Sequence, residues 1–203
     1  MGKIPIILLA AGSSSRMGQP KQLLPWGKQT LIEYQVEKLR QTGNPVYVVL
    51  GSSSEQILPL LKKYPVKVVL NPKWKEGMGT TVAAGIKQVL ADLPNTDAVI
   101  YTLIDQPLVT TAHLQKLTDS FTPGQEQIVA SFSVKGWLGV PALYDAFYFP
   151  ELSNLNGEHG AKSLIKKYDP KVIRVDANDL LDDMDTVESY QRLLTKYLNF
   201  YLS

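Results

Sequence analysis

Short runs of aliphatic residues alternate with segments of helical periodicity along the first 125 residues of the chain. The runs at 4–10, 46–50, 66–70 and 99–104 are rich in isoleucine, leucine and valine, which is typical of strands buried on both faces of a parallel sheet. Strands that alternate with helices over short links predict an α/β domain with three layers and a mostly parallel central sheet. Helices are predicted at 29–42, 57–61, 82–90 and 111–121.

The second part of the chain has a looser pattern. Strands are predicted at 128–132, 140–143 and 172–175, and helices at 160–168 and 186–197. No repeat, low-complexity segment or linker interrupts the sequence. We therefore predict one domain, to which the looser part adds a small insertion.

Composition excludes several classes of function. The 203-residue chain has 21 lysines and arginines against 19 aspartates and glutamates, a net charge of +2, which gives no general attraction to nucleic acid or to an anionic membrane. Because cysteine is absent, disulfides, thiolate metal sites and a cysteine nucleophile are excluded. The first aliphatic run is shorter than the roughly 20 residues of a transmembrane helix. We expect a soluble, cytoplasmic protein with no nucleic-acid or membrane partner.

Chemically distinctive residues follow three of the predicted strands, in the segments Gly12–Lys21, Asn71–Thr81 and Asp105–Pro107. Ligands of open α/β sheets bind at this carboxyl edge. In the first segment, small residues allow a phosphate to approach backbone N–H groups, and Arg16 and Lys21 add two positive charges. The segment lacks the GxxxxGKS/T and GxGxxG patterns. It predicts a nucleoside triphosphate site of another kind, with a solvated polar turn as the alternative.

The second segment combines glycines with hydroxyl residues. Gly77 and Gly79 permit a close approach of the backbone to another group, and Thr80 and Thr81 can cap the helix that follows. A tight turn into a capped helix is the alternative interpretation, although it does not account for the whole string NPKWKEGMGTTVAAG.

Aspartates at two places indicate either a metal site or helix caps. Asp105 ends a buried strand and precedes Gln106 and a proline. Beside a triphosphate, its natural partner is Mg²⁺, which prefers oxygen ligands; a turn aspartate is the alternative. Asp183 and Asp185 precede the closing helix, where Asp185 or Thr186 is expected to form the cap.

The segment from residue 9 to residue 24 resembles the signature of the MobA-like nucleotidyltransferases, which include the molybdenum cofactor guanylyl- and cytidylyltransferases. That signature reads Leu-Ala-Ala/Gly-Gly, then Ser-x-Arg-Met-Gly, then a lysine and a Leu-Leu pair. The resemblance implies that the backbone of Leu9–Gly12 meets the base, while Arg16 and Lys21 hold the phosphates. The matching residues are Leu9, Ala10, Ala11, Gly12, Ser15, Arg16, Met17, Gly18, Lys21, Leu23 and Leu24.

Two more segments resemble this family. The string from Asn71 is similar to the Asn-Pro-x-Trp-x-x-Gly-Met of the cytidylyltransferase branch, which implies that it contacts base and ribose. Gly79 stands where a serine is common in that branch. By the same resemblance, Asp105 is the magnesium-binding aspartate. Asp183 and Asp185 match the aspartates of the closing motif, and Asp185 is expected to contribute a second metal contact, with Asp183 as the alternative. Val187 replaces the usual proline of that motif. The nucleotide-binding residues implied in this segment are Asn71, Gly77, Gly79 and Thr80.

The acceptor-side motifs match less closely. The strings GWLGVPALY and NGEHGAK resemble Gly-x-Pro-x-Leu and Gly-Asp-x-Gly-Ala-Arg. The resemblance implies acceptor-binding roles for Gly139, Pro141, Glu158 and Lys162, where Glu158 replaces an aspartate and Lys162 an arginine. Lys162 is expected to meet the acceptor phosphate.

The family resemblance implies a Rossmann-like nucleotide-binding part at 1–122 and an acceptor-binding part at 123–203. The implied reaction moves a nucleoside monophosphate from an NTP to a phosphate monoester such as molybdopterin or molybdenum cofactor, with Mg²⁺ as cofactor and release of pyrophosphate. Arg16, Lys21 and Asp105 are the implied catalytic residues. The pair Ala10-Ala11 before Gly12 resembles the cytidylyl branch and favours CTP.

No general base is expected, because a monoester oxygen is already largely ionised at pH 7. His113 is predicted at the surface of its helix, and neither it nor His159 has a recognisable metal or catalytic partner. Two alternatives stay open: a sugar-phosphate or methylerythritol-phosphate nucleotidyltransferase, and a non-catalytic carrier that presents molybdenum cofactor to a molybdoenzyme.

Overall fold

The strands and helices alternate as predicted through most of the chain. The computed structural model describes residues 2–14 and 17–202, with side chains as far as Asn199. In chain order the elements are β1 (Ile6–Ala10), β2 (Pro25–Trp26), β3 (Gln29–Thr30), α1 (Leu31–Arg40), β4 (Val46–Leu50), α2 (Ser54–Leu61), β5 (Lys67–Leu70), α3 (Met78–Asp92), β6 (Ala98–Leu103), α4 (Thr111–Asp119), β7 (Ile128–Phe132), β8 (Leu138–Asp145), α5 (Phe149–Ser153), α6 (Lys162–Lys167), β9 (Ile173–Asp176) and α7 (Val187–Leu202).

A seven-stranded sheet forms the centre of the fold, in the order β5-β4-β1-β6-β8-β7-β9. Its first four strands are parallel, and β8 runs antiparallel to both of its neighbours, β6 and β7. Ile6 of β1 pairs with Val46 on one side and with Ile100 on the other. The predicted mostly parallel sheet is confirmed, and β1 is internal to it.

Helices cover both faces of the sheet. Every residue of β1 is buried, and successive side chains point to opposite faces. Ile6 and Leu8 belong to the core cluster that contains the apolar residues of α1, α2 and α4, whereas Ile7 and Leu9 belong to the cluster that contains those of α3, α5 and α6. This arrangement confirms the predicted three layers and explains why the strand sequence is aliphatic without alternation.

The hairpin of β2 and β3 and the short helix α5 were not predicted. Two-residue strands carry no periodicity, and the hairpin depends on the packing of Trp26, which is fully buried. The Trp26 ring centroid lies 5.9 Å from that of Tyr34 and 5.2 Å from that of Tyr197. The hairpin thereby links α1 to α7. No helix in the described part of the chain is long and apolar enough to cross a lipid bilayer.

Candidate active site

The three predicted strand-end segments meet around one cavity of about 290 Å³ at the carboxyl edge of the parallel strands. This is the edge at which open α/β sheets bind ligands. A larger cavity of about 390 Å³ lies at the opposite edge, where the strands begin. The residues that line the carboxyl-edge cavity are Leu9, Ala11, Gly12, Ser13, Lys21, Gln22, Trp74, Lys75, Gly77, Met78, Thr81, Leu103, Ile104, Asp105 and Glu158.

A lysine bridges two carboxylates in this cavity wall. Lys21 Nζ lies 3.1 Å from Asp105 Oδ2 and 2.9 Å from Asp185 Oδ1. Burial by itself lowers the pKa of Lys21, but the two carboxylates outweigh it and leave the pKa raised above its usual value. The side chain is therefore a buried ammonium at neutral pH, and the structure brings together three residues that lie far apart in the sequence.

Hydrogen bonds from the backbone place these groups. The N–H of Met184 donates to the carbonyl of Asp105 at 2.9 Å, which holds the closing loop against the end of β6. Thr186 Oγ1 accepts the N–H of Ser189 at 3.2 Å and so caps α7, as one of the two predicted alternatives has it. Ser189 Oγ in turn accepts the N–H of Asp185 at 3.0 Å. The cap of α7 thus determines where Asp185 stands.

Lys21 is held by the loop that follows β1. Its N–H donates to Ser14 Oγ at 3.0 Å. The buried amide of Gln22 donates to the carbonyls of Ala10 and Gly12, at 2.7 and 3.1 Å. Sequence reasoning did not select Gln22, although it stands next to the predicted lysine. Arg16, predicted as a second phosphate ligand, lies outside the described residues, as does Ser15.

Asp183 adds a third carboxylate to the group. Gln106 Nε2 donates to Asp183 Oδ1 at 3.0 Å. Although the residue as a whole is exposed, partial burial of its carboxyl, followed by the charge of Asp105, raises the pKa of Asp183. The cluster therefore contains one ammonium and three carboxyl groups. A further cation could neutralise the excess negative charge.

Buried oxygens without a hydrogen-bond partner also indicate a place for a cation. Among the described residues, Asp105 Oδ1, Gln106 Oε1 and Gln22 Oε1 are buried without a hydrogen-bond partner, and buried acceptors normally have a donor or a cation beside them. The oxygens are hard donors of the kind that Mg²⁺ prefers. No group of three or more Asp, Glu, His or Cys side chains in the described residues encloses a metal position. A metal here would need oxygens from a bound phosphate, as is usual for Mg²⁺.

The predicted base-binding residues divide into two groups. Leu9, Ala11 and Gly12 line the cavity, whereas the side chain of Ala10 packs in the core on the far face of the sheet. The carbonyls of Leu9 and Ala11 accept the N–H groups of Ile104 and Ser52, at 3.2 and 2.9 Å. Since Gln22 donates to the carbonyls of Ala10 and Gly12, every carbonyl from Leu9 to Gly12 already accepts a hydrogen bond within the protein.

Asn71 and Thr80 support the cavity from behind and do not line it. Asn71 is buried, and its amide donates to Thr80 Oγ1 at 2.9 Å and to Thr81 Oγ1 at 3.0 Å. Its side-chain oxygen accepts the N–H of Lys73 at 3.0 Å. Asn71 therefore ties the end of β5 to the first turn of α3. Thr81 and Trp74, which were not selected from the sequence, line the cavity instead.

Gly77 and Gly79 accommodate the loop at 156–158. The N–H of Gly79 donates to the carbonyl of Gly157 at 2.9 Å. A Cβ atom at Gly79 would lie 2.5 Å from the oxygen of Asn156, and one at Gly77 would lie 2.2 Å from the carbonyl carbon of Gly157. Gly77 also has a φ of 113°, which favours glycine. The serine common at position 79 in the cytidylyltransferase branch would require this loop to move.

The predicted acceptor residues do not share one surface. Glu158 lines the carboxyl-edge cavity. Lys162 instead lies at a different cavity of about 270 Å³, named here the second cavity. Lys162 Nζ stands 4.7 Å from the ring centroid of Trp137, and a Cβ at Gly139 would lie 2.6 Å from that ring. Pro141 is buried in β8. The residues that line the second cavity are Phe132, Gly136, Trp137, Leu138, Lys162, Ile165, Lys166, Asp169 and Arg174.

The predicted surface position of His113 is wrong. Its side chain is 2 % exposed, because it lies on the inward face of α4 beside Leu114. His113 Nε2 lies 2.7 Å from Ser131 Oγ, which donates to the carbonyl of Pro141 at 2.6 Å. Burial, and then the charge of Lys116, lowers the pKa of His113 to about 4. The ring is a neutral core group that links α4 to the sheet.

Comparison with known proteins agrees with this geometry. Residues 6–172 match the MobA-like NTP transferase domain. The chain is 31 % identical to nicotine blue oxidoreductase of Paenarthrobacter nicotinovorans, over 93 % of this chain and 95 % of that protein. It is 23 % identical to molybdenum cofactor cytidylyltransferase of Escherichia coli K12, over 97 % and 98 % of the two chains.

A solved structure gives the same result. The crystal structure of Rv0371C in complex with manganese, from Mycobacterium tuberculosis H37Rv, superposes with a TM-score of 0.75 at 28 % identity, over 96 % of this chain and 99 % of that chain. The resemblance found in the sequence is confirmed. The chain belongs to the MobA-like NTP transferase family of nucleotidyltransferases.

Proposed function

We propose that this protein transfers CMP from CTP to a phosphate monoester, with molybdopterin or molybdenum cofactor as the favoured acceptor, and releases pyrophosphate with the aid of Mg²⁺. The observation that carries the proposal is the Lys21 ammonium held between Asp105 and Asp185 in the wall of the carboxyl-edge cavity. Family membership supports nucleotidyl transfer. The preference for CTP rests on Ala10-Ala11-Gly12 and on the string from Asn71.

Lys21 has two roles in this proposal. Without nucleotide, it neutralises charge on Asp105 and Asp185, to which it donates hydrogen bonds. When a triphosphate enters, the phosphate oxygens offer the ammonium a competing set of acceptors, and Lys21 stabilises the charge that develops on the departing pyrophosphate. Arg16, on the same loop, is also proposed to stabilise charge on the departing pyrophosphate. Asp105 and Asp185 would then hold Mg²⁺, which supplies charge neutralisation at the phosphates.

The chemical step needs no proton acceptor on the protein. A phosphate oxygen of the acceptor forms the new bond to the α-phosphorus, and the bond from that phosphorus to the bridging oxygen of pyrophosphate breaks. Because the acceptor oxygen is already ionised near neutral pH, the protein contributes alignment and charge stabilisation. The buried neutral His113, which bonds to Ser131 outside the cavity wall, is not required for the reaction.

We propose that residues 1–122 bind the nucleotide and residues 123–203 bind the acceptor. Glu158 supports this division because its loop packs on Gly77 and Gly79, which brings an acceptor-side residue into the cavity wall. Lys162 stands with other cations and Trp137 around the second cavity. In this proposal it contacts the acceptor phosphate.

The first experiment measures pyrophosphate release from CTP, Mg²⁺ and molybdenum cofactor by the wild type, Lys21→Ala and Lys116→Ala. Lys116 is exposed on α4 and absent from the cavity wall, so its variant controls for the loss of one positive charge. We expect Lys21→Ala to lose about 10²–10³-fold in kcat, the usual effect of removing one charge-stabilising group. Wild-type rates in Lys21→Ala would refute the assigned role.

Nucleotide preference is tested by thermal shift with CTP, GTP, ATP and UTP, each with Mg²⁺. A ligand at about 100 times its Kd stabilises by about 2.7 kcal/mol, which corresponds to a shift of roughly 5–10 °C for a chain of this size. CTP is expected to give the largest shift, and Lys21→Ala to abolish it. Equal shifts from all four nucleotides would refute the preference for CTP.

The pyrophosphate-release assay also separates the alternative functions. Release of pyrophosphate with a sugar phosphate or methylerythritol phosphate, and none with molybdenum cofactor, would assign the protein to the other acceptor class. Tight binding of molybdenum cofactor without release would favour a carrier.

The name of the 31 % identical relative introduces a candidate from a different class, an oxidoreductase. The string nearest to a dinucleotide fingerprint is Gly77–Val82, which has valine in place of the third glycine. Its two glycines are covered by the backbone of 156–157, so they do not present an open cradle for a pyrophosphate. NADH or NADPH consumption at 340 nm, measured without CTP, would reveal this activity.

A further inference from the structure

The five residues 103–107, named here the Asp105 segment, run from the last residue of β6 beyond the end of the sheet. Their carbonyls all accept hydrogen bonds from outside the strand ladder. Outside the ladder, two of these carbonyls accept backbone N–H groups, and side chains of α1 donate to the other three. The donors are Gln35 Nε2 to Leu103 and Ile104 at 3.3 Å each, Met184 N–H to Asp105 at 2.9 Å, Val109 N–H to Gln106 at 3.3 Å, and Lys38 Nζ to Pro107 at 2.8 Å.

Gln35 and Lys38 stand one turn apart on the buried face of α1. They are 2 % and 8 % exposed. The other buried residues of this helix are Leu31, Ile32, Glu33, Val36 and Leu39. Residues three apart on a helix point in the same direction. The two side chains therefore reach the same strand end, one on each side of Asp105.

Lys38 is an unusual residue for this place. It has no carboxylate within ion-pair distance among the described residues, and its Nζ also lies 4.9 Å from the centroid of the Tyr34 ring. Burial lowers the pKa of Lys38 to about 7. A methionine of similar length would fill the space without the desolvation of an ammonium. The hydrogen bond to the Pro107 carbonyl is what the lysine adds.

We propose that Gln35 and Lys38 are positioning residues that hold the Asp105 segment, and with it the Asp105 carboxylate, in the place where it serves the metal and the phosphates. The part of the proposal that concerns the reaction rests on the proposed function. The part that concerns the placement of the segment stands on the hydrogen bonds alone.

The test uses Lys38→Met and Gln35→Leu, with Arg40→Met as the matched control. Arg40 lies on the exposed side of the same helix and contacts the Tyr64 ring. Amide hydrogen exchange is measured on the proteins without nucleotide. We expect exchange to be accelerated by about tenfold in both test variants at three amides. Ile104 belongs to the Asp105 segment and donates to the carbonyl of Leu9, whereas Val109 and Met184 donate to carbonyls of the segment. Exchange in strand β4, which is internal to the sheet, should stay at the wild-type rate.

The second measurement is pyrophosphate release as a function of Mg²⁺ and CTP. Both test variants should need about tenfold more Mg²⁺ for half-maximal rate and show a lower kcat, while the KM for CTP at saturating Mg²⁺ stays within about twofold. A merely structural role would change Tm and leave the Mg²⁺ requirement as in the control.

Three results would overturn the proposal: exchange at the three amides equal to that of Arg40→Met, acceleration spread evenly over the sheet, or an unchanged Mg²⁺ requirement in both test variants. If the wild-type protein releases no pyrophosphate with any acceptor, the proposed function fails. The exchange data then decide whether Gln35 and Lys38 hold the segment.

Discussion

Burial of a neutral histidine predicts a defined dependence of stability on pH. His113 has a pKa of about 4 in the folded protein against 6.5 for an exposed histidine. As the pH falls from 6.5 to 4, the unfolded chain takes up a proton that the folded chain does not. The free energy of unfolding therefore decreases in this window. The stabilisation is fully present above pH 6.5 and is lost as the pH falls toward 4.

The size of the effect follows from the shift. A difference of about 2.5 pH units, at about 1.4 kcal/mol for each unit, gives at most about 3.5 kcal/mol. The variant that isolates it is His113→Gln, which keeps an N–H directed at Ser131 but has no charge to acquire. Other groups titrate in the same window, so the informative quantity is the difference between the two proteins.

Urea unfolding of wild type and His113→Gln at pH 7.5, 6.5, 5.5 and 4.5 measures that difference. The variant is expected to be less stable at pH 7.5, because packing around the ring is lost, and to gain on the wild type by about 2–3 kcal/mol as the pH falls to 4.5. Parallel curves for the two proteins would show that His113 has an ordinary pKa and would refute the reasoning.

Two further predictions concern packing. Gly79→Ser places a Cβ 2.5 Å from the oxygen of Asn156. It should cost about 1–3 kcal/mol and speed proteolysis in the loop at 156–158. Gly2→Ser is the control, because no atom lies within 4 Å of a Cβ at that position. Equal cleavage in both variants would contradict the predicted contact. Trp26→Ala should cost about 3–5 kcal/mol in urea unfolding, and a cost below about 1 kcal/mol would show that the hairpin does not link α1 to α7.

The parallel strands were predictable because burial on both faces leaves a plain signature. The runs at 46–50 and 128–132 agree with β4 and β7 at both ends. The hairpin at Pro25–Thr30 left no such signature, since its position depends on aromatic rings from α1 and α7. Local sequence indicates that a strand will be buried, but it does not indicate which distant residues will bury a short hairpin.

The meeting of Lys21 with Asp105 could also be foreseen in outline. The two residues follow strands that end at the same edge, and those strands are neighbours in the sheet, with Leu9 paired to Leu103. The place of Asp185 could not be foreseen in the same way. It depends on the hydrogen bond between Met184 and Asp105 and on the cap of α7, which form only when the closing loop folds back over the sheet.

The glycines at the start of α3 could be recognised in the sequence, but the group that approaches them could not. A glycine pattern indicates that something approaches the backbone closely, and a nucleotide was a natural candidate for Gly77 and Gly79. The structure places the backbone of 156–157 there instead, a segment about 80 residues away in the sequence. Because that loop carries Glu158 into the cavity wall, the two glycines couple the proposed nucleotide side to the proposed acceptor side. A substitution at Gly79 should therefore alter the position of Glu158 more directly than it alters the binding of a base.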